Sequence, residues 1–379
     1  SRIGGSHNGK LDGNVYMQLD HVTVTDGAIY GGNQQKNNVA GNVTMVLGEG
    51  IGAAKVYAGS NEAGNVGGTV TVIADGVDLT KTTIYGKAKN TDGTVGALAL
   101  ELRQGQLADV ADTFITRDGV TVALGCQQSE TANIPYDIAL ELNGYDLACT
   151  GNGALVCSDR KTDDYDVADG VYGTVTTSQK VTAAPGYLAV TQNGKTSVHK
   201  YEMDLTELVV NTQKLGITYK ANFRGDEIVK ASVSEFGIAL RAYHSPNATT
   251  ILLDTDCKTH KALRGSAWQT GSGNTVKSVY VSGILGTQAE GVTTRDNQQR
   301  AQVPIYGAGY IRLTDGTMLI SSPQSFSLKT AMQYMCQADI WQDHLNDEDR
   351  ANLADFYSTW RDVMQDWTGI DPVKALADK

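Results

Sequence analysis

The residues best placed to do chemistry are carboxylates: Asp159, Asp163, Asp164, Asp166 and Asp169 crowd one short stretch that ends on Gly170. Clustered carboxylates suit a hard cation such as Ca²⁺, which takes about six to eight oxygen ligands. The spacing departs from an EF-hand loop, because Ala168 stands where a ligand belongs and the glycine comes one place late. Asp163, Asp164, Asp166 and Asp169 are thus the candidate calcium ligands, against the plainer reading of a solvated acidic loop. Two of these acids standing about 6.5–9.5 Å apart would also serve an inverting glycosidase. Polysaccharide lyases use a Lys or Arg base beside a Ca²⁺ site; Arg160 and Lys161 are merely adjacent to the acids.

A second candidate is aromatic. Tyr30, Tyr57 and Tyr85 recur in the tetrapeptides Ile29-Tyr30-Gly31-Gly32, Val56-Tyr57-Ala58-Gly59 and Ile84-Tyr85-Gly86-Lys87. If Ile29, Val56 and Ile84 point inward, the three tyrosines point outward and stack at the strand spacing of about 4.8 Å. Such a flat strip would hold a glycan, or would simply stiffen the edge of the coil. Arg224-Gly225-Asp226 has the tripeptide read by integrins, but Asp226 is placed to cap a helix. The six histidines are dispersed with none at ligand spacing, and no Ser-His-Asp pattern, P-loop or dinucleotide fingerprint can be assembled, so no catalytic residue is assigned. Cys126, Cys149, Cys157, Cys257 and Cys336 are too scattered for a disulfide framework and read as small buried residues, with Cys149 and Cys157 able to face each other across adjacent strands.

The elements that would carry these residues are repetitive. A degenerate Ile3-Gly4-Gly5 precedes the three tetrapeptides, and the four are spaced 26, 27 and 28 residues apart. That period fits one coil of a parallel β-solenoid. Each tetrapeptide is accompanied by a β-rich run, Val15-Tyr16-Met17, Val43-Thr44-Met45-Val46, Val70-Thr71-Val72-Ile73 and Leu98-Ala99-Leu100, so a coil supplies at least two strands. The coils continue less regularly through 138–144, 173–176 and 186–190. The signature position is already filled at Ile3, which leaves the first coil uncapped; either upstream residues were removed or its end takes a second copy head to tail, as in a filament.

Composition agrees with a mainly β protein: 42 Gly and 17 Tyr stand against 6 Pro and 5 Phe among 379 residues. A net charge of −11 with no basic block excludes the electrostatic footprint of a nucleic-acid or anionic-membrane binder. No apolar run approaches the roughly 20 residues of a membrane span. The chain opens on Ser1-Arg2-Ile3 with no signal peptide and reads as a mature piece or an excised fragment.

After about residue 198 the pattern changes to longer alternating stretches, 215–223, 236–243, 278–285 and 302–313, which suit antiparallel strands of a sandwich-like domain over 199–325. Asp226-Glu227 begins a short helix between the first two. In 326–379, one helix is expected from Ser327 to about Ile340. A second, capped by Asn346, carries Leu353, Phe356, Tyr357, Trp360, Val363, Met364 and Trp367 as an apolar stripe that covers the sandwich.

Two stretches, Leu140-Glu141-Leu142-Asn143-Gly144-Tyr145-Asp146-Leu147 and Asp163 to Gly173, are followed by Gly216 to Phe223, Gly225-Asp226-Glu227, Phe236 to Leu240 and Pro304 to Arg312. In this order they resemble repeat-rich secreted or cell-surface proteins of gut Clostridia. The resemblance covers roughly 135–370 and brings no catalytic residues. It implies an extracellular or cell-surface location. The reading is therefore a right-handed parallel β-helix (1–198), a β-sandwich-like domain (199–325) and covering helices (326–379). The function expected is a non-catalytic surface stalk or adhesin-type module, with a glycan or a host or bacterial surface protein as partner. A self-assembling fibre subunit and a β-helix polysaccharide lyase or glycoside hydrolase are the alternatives. No cofactor other than Ca²⁺ is expected.

Overall fold

A computed structural model describes residues 2–378 apart from 4, 8, 25–26, 54, 161–171, 212–215, 243–257, 262–268, 272–273, 282–303 and 362–365. The chain is mainly β, with parallel sheets in its first half and a few helices at its C-terminal end. It divides into two compact units, Ser1–Tyr201 and Glu202–Lys379.

In the first unit, eight parallel strands lie side by side in chain order: Val15–Leu19, Val43–Leu47, Val66–Ala74, Val95–Leu102, Val120–Leu124, Ile138–Glu141, Leu155–Ser158 and Val181–Ala183. A second parallel sheet holds Arg2–Ile3, Ile29–Tyr30, Lys55–Tyr57 and Thr83–Tyr85, and a third run pairs Ala132–Asn133, Leu147–Thr150 and Val175–Thr176. The register follows the repeat: Val15 is opposite Val43, Val43 opposite Val70, and Ile29 opposite Val56, which is opposite Ile84.

Alternation explains why this register is held. Val43, Met45 and Leu47, then Val70, Val72 and Ala74, then Leu100 and Leu102 are all within 1% of complete burial, and slipping one residue would turn each set outward. One apolar core runs from Val15 to Val198 and takes in Ile29, Val56 and Ile84. Asparagines tie successive strands together at the corners: the Asn14 side-chain oxygen accepts from the Asn42 nitrogen, and Asn42 from Thr69. In the same way Asn38 accepts from Asn65, and Asn65 from Thr94, each bond reaching 27–29 residues along the chain. Three of the four donors, at Asn42, Asn65 and Thr94, lie outside the strands, where the ladder leaves backbone N–H groups to be satisfied.

Two departures from the expected regularity have local causes. After Tyr85 the chain has no further Ile-Tyr-Gly signature. A short helix, Ala111–Phe114, stands in the missing strand's place, burying Phe114 and Ile115 and accepting the Gly86 N–H on the Thr113 carbonyl. The stretch 186–190 does not continue the parallel strands. Tyr187–Gln192 is one arm of an antiparallel hairpin with Lys195–Asn211, turning at Asn193-Gly194, where both residues have positive φ. The long second arm contributes its first residues to the first unit and its later ones to the second.

The second unit contains antiparallel strands. Gly216–Gly225 pairs with Asn274–Val281, which also pairs with Gln269–Gly271. Val233–Ala242 lies between Lys258–Lys261 and Ile305–Leu313, and the latter takes Met318–Ile320 and Gln324–Phe326 on its other side. The two sheets approach where a Cβ at Gly309 would come within 3.2 Å of Met203 and 3.3 Å of Ala221, both in strands of the other sheet. The helix Glu227–Ser232 is capped by Asp226, whose carboxylate accepts from the Val229 nitrogen.

The helix expected from Ser327 to Ile340 is two helices, Leu328–Met335 and Ala338–Asp343. They separate at Cys336, whose carbonyl accepts from the Ile370 nitrogen instead of continuing a helical ladder. Asn346 does cap the next helix, Asp347–Trp360, by accepting from Asp349. Of the expected stripe, Leu353 and Phe356 are buried and Tyr357 is half-buried; the Trp360 side chain, Val363 and Met364 lie outside what is described, and Trp367 lies beyond the helix end. Arg350 on this helix donates to the carbonyls of Trp341 and Gln342, closing the open end of Ala338–Asp343. No helix among the described residues is long and apolar enough to cross a membrane.

Candidate functional site

The tyrosine ladder forms from the register of three strands. Tyr30 is opposite Tyr57 and Tyr57 opposite Tyr85, so the rings stack at centroid separations of 5.5 and 4.7 Å with interplanar angles of 11° and 12°. Ile29, Val56 and Ile84 on the same strands are fully buried on the other side, in the main core. The tyrosines make a separate cluster with Ala28.

The stack is not the open strip that a glycan would need. Tyr30 is 2% and Tyr57 9% exposed, and Tyr85 alone is half-buried. A sugar ring stacks on an aromatic face, and here the faces are occupied by one another. The ammonium groups of Lys89 and Lys87 lie 6.0 Å from the ring centres of Tyr30 and Tyr85, at the outer limit of a cation–π contact. Burial, then the neighbouring phenols of Tyr85 and Tyr30, hold the Tyr57 phenol above its ordinary value, while Lys89 pulls the other way. The ladder therefore works as packing, with its regular spacing a property of the sheet.

Of the acidic cluster, Asp163, Asp164, Asp166 and Asp169 lie outside the described residues. Asp159 is described and is fully buried. One of its oxygens accepts from the Gly144 nitrogen at 2.9 Å and the other from the Gly173 nitrogen at 2.6 Å. Its carboxylate thus binds the two chain segments flanking 160–172 to one another. The Arg160 guanidinium pairs with Glu141 on the neighbouring strand. Among the described residues no three His, Cys, Asp or Glu side chains converge as a metal site would require.

The structure adds one pair absent from the sequence reading. Ser197 Oγ and His199 Nε2 are 2.8 Å apart and both residues are buried, with the Tyr172 ring edge-on to the imidazole at 4.7 Å. The signal was simple alternation: Ser197 and His199 are two apart on one strand and share a face, while Val198 between them enters the core. A hydroxyl beside an imidazole is the beginning of a nucleophile–base pair. With His199 fully buried, no reacting carbonyl reaches it.

Arg224-Gly225-Asp226 is not presented as a loop tip. Arg224 lies on a strand with its guanidinium 3.6 Å from Glu202, and the Asp226 carboxylate is the helix cap. Cys149 and Cys157 do not face each other across adjacent strands: Cys149 is opposite Ala132 in one sheet and Cys157 opposite Leu140 in another. Both are free thiols in the core, as is Cys336 in the second unit, while Cys126 is half-buried and also free. Burial pushes the Cys157 thiol up to about 12, with Cys149 adding to the shift.

No protein-family model, no curated protein and no solved structure matches this chain.

Proposed function

We propose that the chain is a non-catalytic surface module: a right-handed parallel β-helix acting as a rigid stalk, followed by a β-sandwich-like domain with covering helices. The observation that carries this reading is the in-register parallel ladder from Val15 to Ala183, with its unbroken apolar core. Side-chain bonds run from one coil to the next at Asn14, Asn38, Asn42 and Asn65. A solenoid built this way contacts only its neighbouring coils, so it presents a long, stiff surface. The location proposed is extracellular, following the resemblance to surface proteins of gut Clostridia.

Against an enzyme stand the tasks already taken up by the candidate groups: Asp159 clamps backbone, Arg160 pairs with Glu141, and Ser197 and His199 are sealed. The test is a depolymerisation assay of the purified chain on neutral and acidic polysaccharides, with and without Ca²⁺, reading new reducing ends and unsaturated uronates. No turnover is expected; sustained release of either product would overturn the stalk reading in favour of a glycoside hydrolase or lyase.

A further inference from the structure

We propose that Asn193 is a site of spontaneous deamidation through a succinimide, and that the fold protects the other described Asn-Gly pairs from the same reaction. The dipeptide occurs four times, at Asn8-Gly9, Asn143-Gly144, Asn152-Gly153 and Asn193-Gly194, and Asn8 lies outside the described residues. In the reaction the glycine nitrogen loses its proton to hydroxide, bonds to the asparagine Cγ and expels the side-chain nitrogen as ammonia. Water then opens the five-membered imide at either carbonyl, giving aspartate or isoaspartate. The only co-reactant is water. The reaction needs a glycine nitrogen that is free and a side-chain amide that can swing onto it.

Two of the pairs sit in turns of the same kind, which makes one a control for the other. Asn143 and Gly144 have φ of 53° and 83°, and Asn193 and Gly194 have 52° and 76°, the signs of a type I′ turn. Closing the imide needs the peptide plane between Asn and Gly to flip. That converts a type I′ turn to type II′, whose first central residue keeps its positive φ, so the flanking strands need not move.

At Asn143 the flip is blocked. The Gly144 nitrogen donates to buried Asp159 at 2.9 Å, and the Asn143 side-chain nitrogen donates to the Leu124 carbonyl at 2.9 Å. At Asn152 the Gly153 nitrogen donates to the Ile134 carbonyl, and Gly153 is buried so tightly that a Cβ there would stand 1.9 Å from the Tyr136 carbonyl oxygen. Asn193 and Gly194 are exposed at the tip of the hairpin, and among the described residues none hydrogen-bonds the Asn193 side chain or the Gly194 nitrogen. The product adds one negative charge at that tip, and the isoaspartate form adds a methylene to its backbone.

The test is ageing of the intact folded chain at 37 °C and mildly alkaline pH, with peptide mapping that separates asparagine, aspartate and isoaspartate at each pair. A parallel sample is aged in urea. Breaking one hydrogen bond to a charged group costs enough to slow Asn143 about tenfold or more relative to Asn193 in the folded chain. In urea the described pairs should convert at similar rates. Conversion of Asn143 or Asn152 in the folded chain as fast as Asn193 would overturn the proposal. So would a folded-chain Asn193 that stays intact while its unfolded counterpart converts.

Discussion

Asp159 shows how one buried side chain ties separate backbone segments together. Its two oxygens take two backbone N–H groups, that of buried Gly173 and that of half-buried Gly144. Asp159→Ala is expected to lower stability by roughly 2–5 kcal/mol in urea denaturation, because two donors lose their acceptor at once. Asp159→Asn, which keeps one acceptor oxygen, should lose less. The thiols give a second prediction. Cys157 and Cys336 have folded values raised from 9.0 to about 12 by burial, so both stay neutral in the native state. The stability this provides is fully present below about pH 9 and is lost as pH rises through 9 toward 12, since the unfolded chain releases those protons first. Alkylation of the native chain at pH 8 should mark Cys126 well before Cys149, Cys157 or Cys336, as read by peptide mapping. The stacking of Tyr30, Tyr57 and Tyr85 was legible from their shared position in the repeat. Their burial was not, because exposure depends on what lies over a ring, which a local repeat does not encode. For Asp159, the sequence showed only an acid at the head of an acidic run, with nothing to mark its two backbone partners 14 and 15 residues away.

The parallel strands were legible as elements because alternation and period coincided: Val43–Leu47, Val66–Ala74 and Val95–Leu102 each contain the apolar run that the repeat singled out. The helix Ala111–Phe114 was not, since four residues are too few to show a helical period. The split at Cys336 was likewise hidden, because Leu328, Ala331, Met332 and Met335 fit one helix and the break comes from a distant partner, Ile370. Glycine at the corners is a packing requirement. A Cβ at Gly86 would lie 2.0 Å from the Phe114 carbonyl oxygen, so Gly86→Ala must push a backbone that the short helix holds in place. It is expected to cost several kcal/mol, about 3 or more, visible as a large drop in the thermal midpoint of the first unit. Asn65→Ala removes one exposed acceptor, which takes both the nitrogen and the hydroxyl of Thr94, and should cost only about 1 kcal/mol. Equal effects from the two substitutions would mean that the corners are held by hydrogen bonds more than by close packing.

At the scale of the whole chain, the change from parallel to antiparallel pairing near residue 200 separates two kinds of construction. The first unit repeats parallel strands in register, and the chain length between partners shortens along it: Thr121 follows its partner Ala99 by 22 residues and Leu155 follows Ile138 by 17. The second unit is built of antiparallel strands, several of them eight to ten residues long, and carries short helices. The sequence pattern marked this change through the lengthening of its alternating stretches. It did not reveal the hairpin 187–200, because Tyr187–Gln192 carries the same alternation as a coil strand and only the turn Asn193-Gly194 betrays its direction. The stalk proposed above stands on successive strands of the first unit lying parallel and in register. Engineered disulfides test it directly. Thr44 and Thr71 are opposite one another on adjacent strands. Parallel neighbours about 4.8 Å apart fall within the Cα range of roughly 4.4–6.8 Å that a disulfide spans. The double variant Thr44→Cys, Thr71→Cys should therefore close a disulfide on mild oxidation of the folded chain, mapped by proteolysis and mass. The offset pair Thr44→Cys, Ile73→Cys should remain reduced. Closure of the offset pair as readily as the matched one, or of neither, would contradict the coil register and with it the stalk.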